Sequence, residues 1–151
     1  MVFGANIQYD WVMDEYPKLK IVIVEDNPSL SDIYKTRLEL VGYDCFAAYD
    51  GEMALAIIER EKPALVLLDL MIPKIAGDEV LKRMRASEWG KDIRVFIISN
   101  LNEADAPAGL RDYGISGYAV KANLSDNDID QLVERLLMPD DKDDASLESS
   151  Y

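Results

Sequence analysis

Glu25-Asp26, Asp69, Ser99 and Lys121 are far apart in the chain, yet each closes an apolar run. The runs are Ile21-Val22-Ile23-Val24, Ala64-Leu65-Val66-Leu67-Leu68, Val95-Phe96-Ile97-Ile98 and Gly117-Tyr118-Ala119-Val120. Three carboxylates brought together repel and raise one another's pKa unless a cation relieves them. Magnesium is the natural cation, because it takes oxygen ligands, keeps several waters and binds through one or two carboxylates plus a phosphate. Asp69 offers a carboxylate able to take a phosphoryl group and hold it as an acyl phosphate. Charge on a transferring phosphoryl group sits on its equatorial oxygens, so the Lys121 ammonium and the Ser99 hydroxyl supply what such a group needs. No general base is required, and the chain contains no histidine.

These residues meet only if the apolar runs are neighbouring strands. Short apolar runs bounded by turn residues read as parallel strands buried on both faces, and in open α/β sheets the ligand site lies outside the carboxyl ends of the strands. Between the runs, Asn27-Pro28-Ser29 signals a cap and first turn, and Leu30, Ile33, Tyr34, Arg37, Leu38 and Val41 follow helical spacing up to Gly42. A strand is expected at about 43–48, and a second helix after Asp50-Gly51 carries Ala54, Leu55 and Ile58 and closes at Lys62-Pro63. A third helix is expected over roughly 78–88. Pro107 and Gly109 predict a short or irregular fourth helix at about 103–113. The last helix follows Ser125-Asp126-Asn127-Asp128, with Ile129, Leu132, Val133, Leu136 and Leu137 as its apolar stripe. Five strand–helix alternations with right-handed crossovers imply an α/β, three-layer, doubly wound fold with a five-stranded parallel sheet and helices on both faces.

Charge and length bound the function. The 151 residues suit one domain, and the net charge of −13 divides into −4 for residues 139–151, −2 for residues 1–18 and −7 for the body. An acidic body without a basic stripe argues against direct nucleic-acid binding, whose affinity comes largely from Lys and Arg on phosphates. The single cysteine, Cys45, permits no internal disulfide and reads as buried filler, which fits a reducing, cytoplasmic location. Before Lys18 there is no positive charge, and Asp10 and Asp14 interrupt the apolar character, so neither a secretory signal nor a membrane span is expected.

In order along the chain, Ile23-Val24-Glu25-Asp26-Asn27, Leu68-Asp69-Leu70-Met71-Ile72-Pro73, Gly77, Ile98-Ser99 and Tyr118-Ala119-Val120-Lys121 resemble the response-regulator receiver domains of two-component signalling. The resemblance covers roughly 19–138. It implies the flavodoxin-like strand order 2-1-3-4-5. It also implies that Asp69 is the phosphoacceptor, Asp26 a direct magnesium ligand, Glu25 a ligand through water and the Met71 backbone carbonyl a further ligand. Ser99 and Lys121 would contact the phosphoryl group. Phosphorylation would draw Ser99 inward and let Tyr118 swing toward the vacated space, a local charge change biasing a bistable element. The implied partners are a histidine kinase or phosphotransfer protein as donor and a downstream protein target, with the domain a monomer or a phosphorylation-dependent dimer.

The chain departs from the family pattern in places. Ala122 follows Lys121 where proline is usual, so no cis bond is expected there, and Asn100 follows Ser99 where small residues are common. Met71 and Leu101 occupy the two positions whose side chains help orient the attacking water, and both are apolar, which predicts slow self-dephosphorylation and no other enzymatic turnover. Residues 139–151 are acidic and too polar to bury a core, and with Pro139 directly after the last helix they suggest a stand-alone receiver. In residues 1–18, Phe3, Ile7 and Trp11 recur every fourth residue, which suggests a short helix packing on a protein surface. The alternative readings are a pseudo-receiver that signals without phosphate, a flavodoxin-like cofactor carrier and a hydrolase. The carrier lacks a phosphate-cradling loop after its first strand, and the hydrolase lacks a histidine and a nucleophile elbow.

Overall fold

A computed structural model describes residues 17–138. The readings placed on residues 1–16 and 139–151 lie outside the described residues. Five parallel strands form one sheet in the order β2-β1-β3-β4-β5: β1 Lys20–Val24, β2 Asp44–Ala48, β3 Leu65–Leu68, β4 Arg94–Ser99 and β5 Gly117–Val120. Four α-helices accompany them: α1 Pro28–Leu40, α2 Gly51–Glu61, α3 Gly77–Arg85 and α4 Asp128–Leu137.

Alternation along the strands explains why both faces are apolar. Val22, Val24, Val66, Leu68, Val95 and Ile97 pack in one cluster with Ala54 and Ile58 of α2 and Val80, Leu81 and Met84 of α3. Ile21, Ile23, Leu65, Leu67, Phe96 and Ile98 pack in a second with Tyr34 and Leu38 of α1 and the α4 stripe. Successive side chains point to opposite faces, so a strand covered on both sides must be apolar at every position. Cys45 is buried in the second cluster, and burial pushes its thiol up to about 12, which suits filler rather than a nucleophile.

Local chemistry sets the boundaries. Asn27 caps α1, its Oδ1 accepting from the backbone N–H of Ser29 at 3.0 Å and of Leu30 at 3.3 Å, and Pro28 follows in the first turn. Asp50 caps α2 by accepting from the Met53 N–H at 2.8 Å. α3 is shorter than its expected span: the Ser87 hydroxyl donates to the Met84 carbonyl at 2.7 Å and accepts from the Gly90 N–H at 3.0 Å, turning the chain toward β4.

The segment between β4 and β5 holds no α-helix. Two single 3-10 turns, Glu103–Asp105 and Leu110–Tyr113, flank Pro107, which has no N–H to donate, and Gly109, which takes a left-handed φ of 80°. The five expected alternations are therefore four helices and this irregular connection. Lys121 falls just past β5, in a further 3-10 turn, Lys121–Asn123, and there is no cis peptide bond among the described residues.

Candidate functional site

Strand register brings the distant residues together. Val24 pairs with Leu68 and Ser99 with Val120, so Glu25 and Asp69 leave adjacent strands side by side, and Lys121 leaves β5 next to Ser99. The Asp69 N–H donates to the Val24 carbonyl at 3.1 Å, continuing the ladder one step past the strand. Gly77 opens α3 against this junction: a Cβ there would lie 2.2 Å from the Asp69 carbonyl oxygen, so only glycine lets the helix start this close to the Asp69 backbone.

Glu25, Asp26 and Asp69 each present a carboxylate oxygen within 4.8 Å of the others. Glu25 and Asp69 are 2% and 4% exposed, Ser99 is fully buried, and Asp26 faces solvent. The Lys121 ammonium bridges the two buried carboxylates, 2.7 Å from Asp69 Oδ2 and 2.5 Å from Glu25 Oε1. Backbone donors complete the shell: the Asn27 N–H reaches Glu25 Oε2 at 2.9 Å, and the Met71 N–H reaches Asp69 Oδ1 at 3.1 Å.

The electrostatics follow from that geometry. Burial pushes the Glu25 pKa above the ordinary glutamate value, against the hydrogen bonds from Lys121 and Asn27. Burial opposes charge on Lys121 as well, but its bonds to Asp69 and Glu25 outweigh this and hold its pKa above the ordinary lysine value. One ammonium against three carboxylates leaves the pocket negative. An all-oxygen donor set with excess negative charge fits a hard divalent cation of the magnesium type.

Ser99 and Tyr118 are joined through Leu101. The Leu101 N–H approaches Ser99 Oγ at 3.4 Å, and the Tyr118 hydroxyl donates to the Leu101 carbonyl at 2.8 Å. The Tyr118 ring is turned inward and only 5% exposed, and burial raises the pKa of its hydroxyl. Met71 and Leu101 sit at the site's edge, Met71 well exposed and Leu101 half-buried.

All of Glu25, Asp26, Asp69, Met71, Ser99, Tyr118 and Lys121 thus lie at one end of the sheet. Sequence reasoning missed the backbone donors of Asn27 and Met71, which no residue type announces. It also read Tyr34 of α1 only as a helical apolar position. Burial raises the pKa of Tyr34, and the charges of Lys121, Glu25 and Asp69 act on it, so it stands close to the site.

Known proteins share this chain's sequence pattern and fold. The chain is 36% identical over 126 residues to "Probable transcriptional regulator ycf27" of Porphyridium aerugineum, covering 83% of this chain and 50% of that protein. It is 35% identical over 102 residues to "DNA-binding dual master transcriptional regulator RpaA" of Synechocystis sp., covering 68% of this chain and 42% of the relative. Among solved structures, the phosphorylated cyanobacterial phytochrome response regulator RcpA superposes with a TM-score of 0.72 at 29% identity, covering 80% of this chain and 95% of that one. The chain spans about half the length of the curated relatives it matches.

One expectation is corrected by these relatives. The acidic composition argued against direct nucleic-acid binding, yet RpaA is named as DNA-binding. A charge count speaks only for the residues counted, and about half of each relative's length lies outside the match. No helix among the described residues is long and apolar enough to cross a membrane. Residues 21–136 match the family model "Response regulator receiver domain", and with the strand order in agreement, the chain belongs to that family.

Proposed function

We propose that the domain accepts a phosphoryl group on Asp69 from the phosphohistidine of a partner kinase or phosphotransfer protein. The observation that carries this reading is the Lys121 ammonium, held 2.7 Å from Asp69 Oδ2 and bridging to Glu25, with the Asp26 carboxylate clustered beside those two. In the transfer, the P–N bond to the donor imidazole breaks with its electron pair staying on nitrogen, and a P–O bond to an Asp69 carboxylate oxygen forms, leaving an acyl phosphate. Asp26, Asp69 and the Met71 backbone carbonyl are the groups that would hold magnesium, with Glu25 acting through water, and magnesium's chemistry there is to offset charge on the phosphoryl oxygens.

Lys121 exchanges its contact with Asp69 for the phosphoryl oxygens, and the Ser99 hydroxyl donates to the same group. Because Leu101 bonds to both Ser99 and Tyr118, a shift of Ser99 moves the Leu101 backbone and with it the Tyr118 hydroxyl. The face formed by β5, α4 and the 102–116 connection carries the change outward. Its readout is control of transcription, in line with the names of the relatives. The domain acts as a signalling acceptor whose only turnover is slow self-dephosphorylation.

Purified protein incubated with magnesium and acetyl phosphate is expected to gain one phosphoryl mass by intact-mass spectrometry. Asp69→Asn is expected to abolish the adduct, and removal of magnesium to suppress it strongly. An adduct that survives Asp69→Asn overturns the assignment.

A further inference from the structure

We propose that the start of α2 clamps the loop carrying Met71, which makes Gly51 and Pro73 positioning residues for the magnesium site. This deepens the phosphoacceptor reading above and rests on it. Met71 serves the site through its backbone: its side chain is exposed, its N–H holds Asp69 Oδ1 at 3.1 Å, and its carbonyl is one of the groups assigned to the cation. The placement of that one peptide therefore bears on the metal and on Asp69 together.

The loop is closed at its base and gripped at its tip. At the base the Gly77 N–H donates to the Leu70 carbonyl at 2.9 Å, and Leu70 and Ile72, on either side of Met71, are buried in the cluster shared with α2 and α3. At the tip the Pro73 carbonyl accepts twice, from the Ile75 N–H at 2.9 Å and from the Gly51 N–H at 3.1 Å. Gly51 is the first residue of α2, so its N–H has no partner within the helix and the loop takes it. A Cβ at Gly51 would overlap the Ile75 carbonyl oxygen and the Ile75 Cβ, so only glycine lets the loop lie this close. Between Pro73 and Ile75, Lys74 takes a left-handed φ of 70°. A residue with a Cβ keeps that conformation where its surroundings over-determine it.

Proline stiffness carries the grip back to Met71. The Pro73 ring fixes its own φ, and Ile72 before it is confined to extended backbone. Few free torsions therefore separate the held Pro73 carbonyl from the Met71 peptide. The Lys74 ammonium also lies 3.5 Å from Asp50 Oδ2, but its side chain is more than half exposed, and such pairs contribute little. The Gly51 hydrogen bond and the close fit of Ile75 are thus the main holds.

In the full chain, a magnesium chloride titration followed through the Asp69 and Met71 amide resonances gives a dissociation constant for the folded protein. Pro73→Ala keeps the carbonyl and frees the torsions. It is expected to raise that constant about tenfold, as loss of a contact that orients a metal ligand does, and to speed hydrogen exchange at the Met71 amide. Gly51→Ala is expected to do the same by pushing Ile75 away, and Pro73→Ala decides alone should Gly51→Ala not fold. Ile58→Val, which trims the buried face of α2 away from the loop, is expected to lower the melting temperature and leave the constant unchanged. An unchanged constant in Pro73→Ala or in folded Gly51→Ala overturns the clamp while the magnesium reading stands, and so does an equal loss of affinity in Ile58→Val. Parent resonances that ignore magnesium overturn that reading, and the clamp's role falls with it.

Discussion

Two apolar side chains are expected to set how long a phosphoryl group on Asp69 would survive. Met71 and Leu101 border the site, and neither has an atom that could hold a water in line with phosphorus. Met71→Asn combined with Leu101→Glu is expected to shorten the phosphoryl lifetime about tenfold, equivalent to roughly 1.4 kcal/mol of barrier. Decay of the Asp69 adduct followed by intact mass checks this, and an unchanged half-life counts against it. Ser31 poses a different question at the same scale. Its hydroxyl is fully buried on α1 and finds no hydrogen-bond partner among the described residues. An unpaired buried hydroxyl costs more than the apolar group that replaces it, and alanine is the better helix former. Ser31→Ala is expected to raise stability by about 1 kcal/mol, read as a higher denaturant midpoint at constant m-value.

Among the elements, the strand ends do the positioning and the helix starts hold them in place. α3 begins at Gly77 against the Asp69 backbone, so a methyl group there has to displace either the helix or Asp69. Gly77→Ala is expected to destabilise the domain by about 2 kcal/mol, in the manner of overpacking, and to slow acetyl-phosphate labelling of whatever remains folded. A melt and a labelling rate that both match the parent protein sink that account. The strands were legible in advance because a both-faces-buried strand must be apolar throughout, as Ile21–Val24 and Leu65–Leu68 are. The segment after β4 was legible only as irregular. Pro107 and Gly109 mark a break, but nothing in their types specifies two 3-10 turns at Glu103–Asp105 and Leu110–Tyr113. The early end of α3 was also hidden, since Ser87 terminates it through a side-chain turn that competes with further helix.

Taken whole, the molecule is acidic, with a net charge of −13, and it concentrates part of that charge in one pocket. A divalent cation that binds the folded pocket and not the unfolded chain stabilises the fold by mass action. Magnesium at ten times its dissociation constant is expected to add about 1.4 kcal/mol, visible as a rise in melting temperature that Asp69→Asn diminishes. A melting temperature indifferent to magnesium argues against a cation site at Glu25, Asp26 and Asp69.

By itself the amino-acid sequence determined the fold class, the set of reactive side chains and the strands that end on them, because burial on two faces and polarity at a strand's end are written into residue type. Only the tertiary structure decided the pairing of Lys121 with both Asp69 and Glu25, the backbone donors of Asn27 and Met71, and the inward Tyr118 bonded to the Leu101 carbonyl. Those contacts depend on register and on where each strand meets its loop, and both are fixed by packing across the whole sheet rather than by any local run of residues.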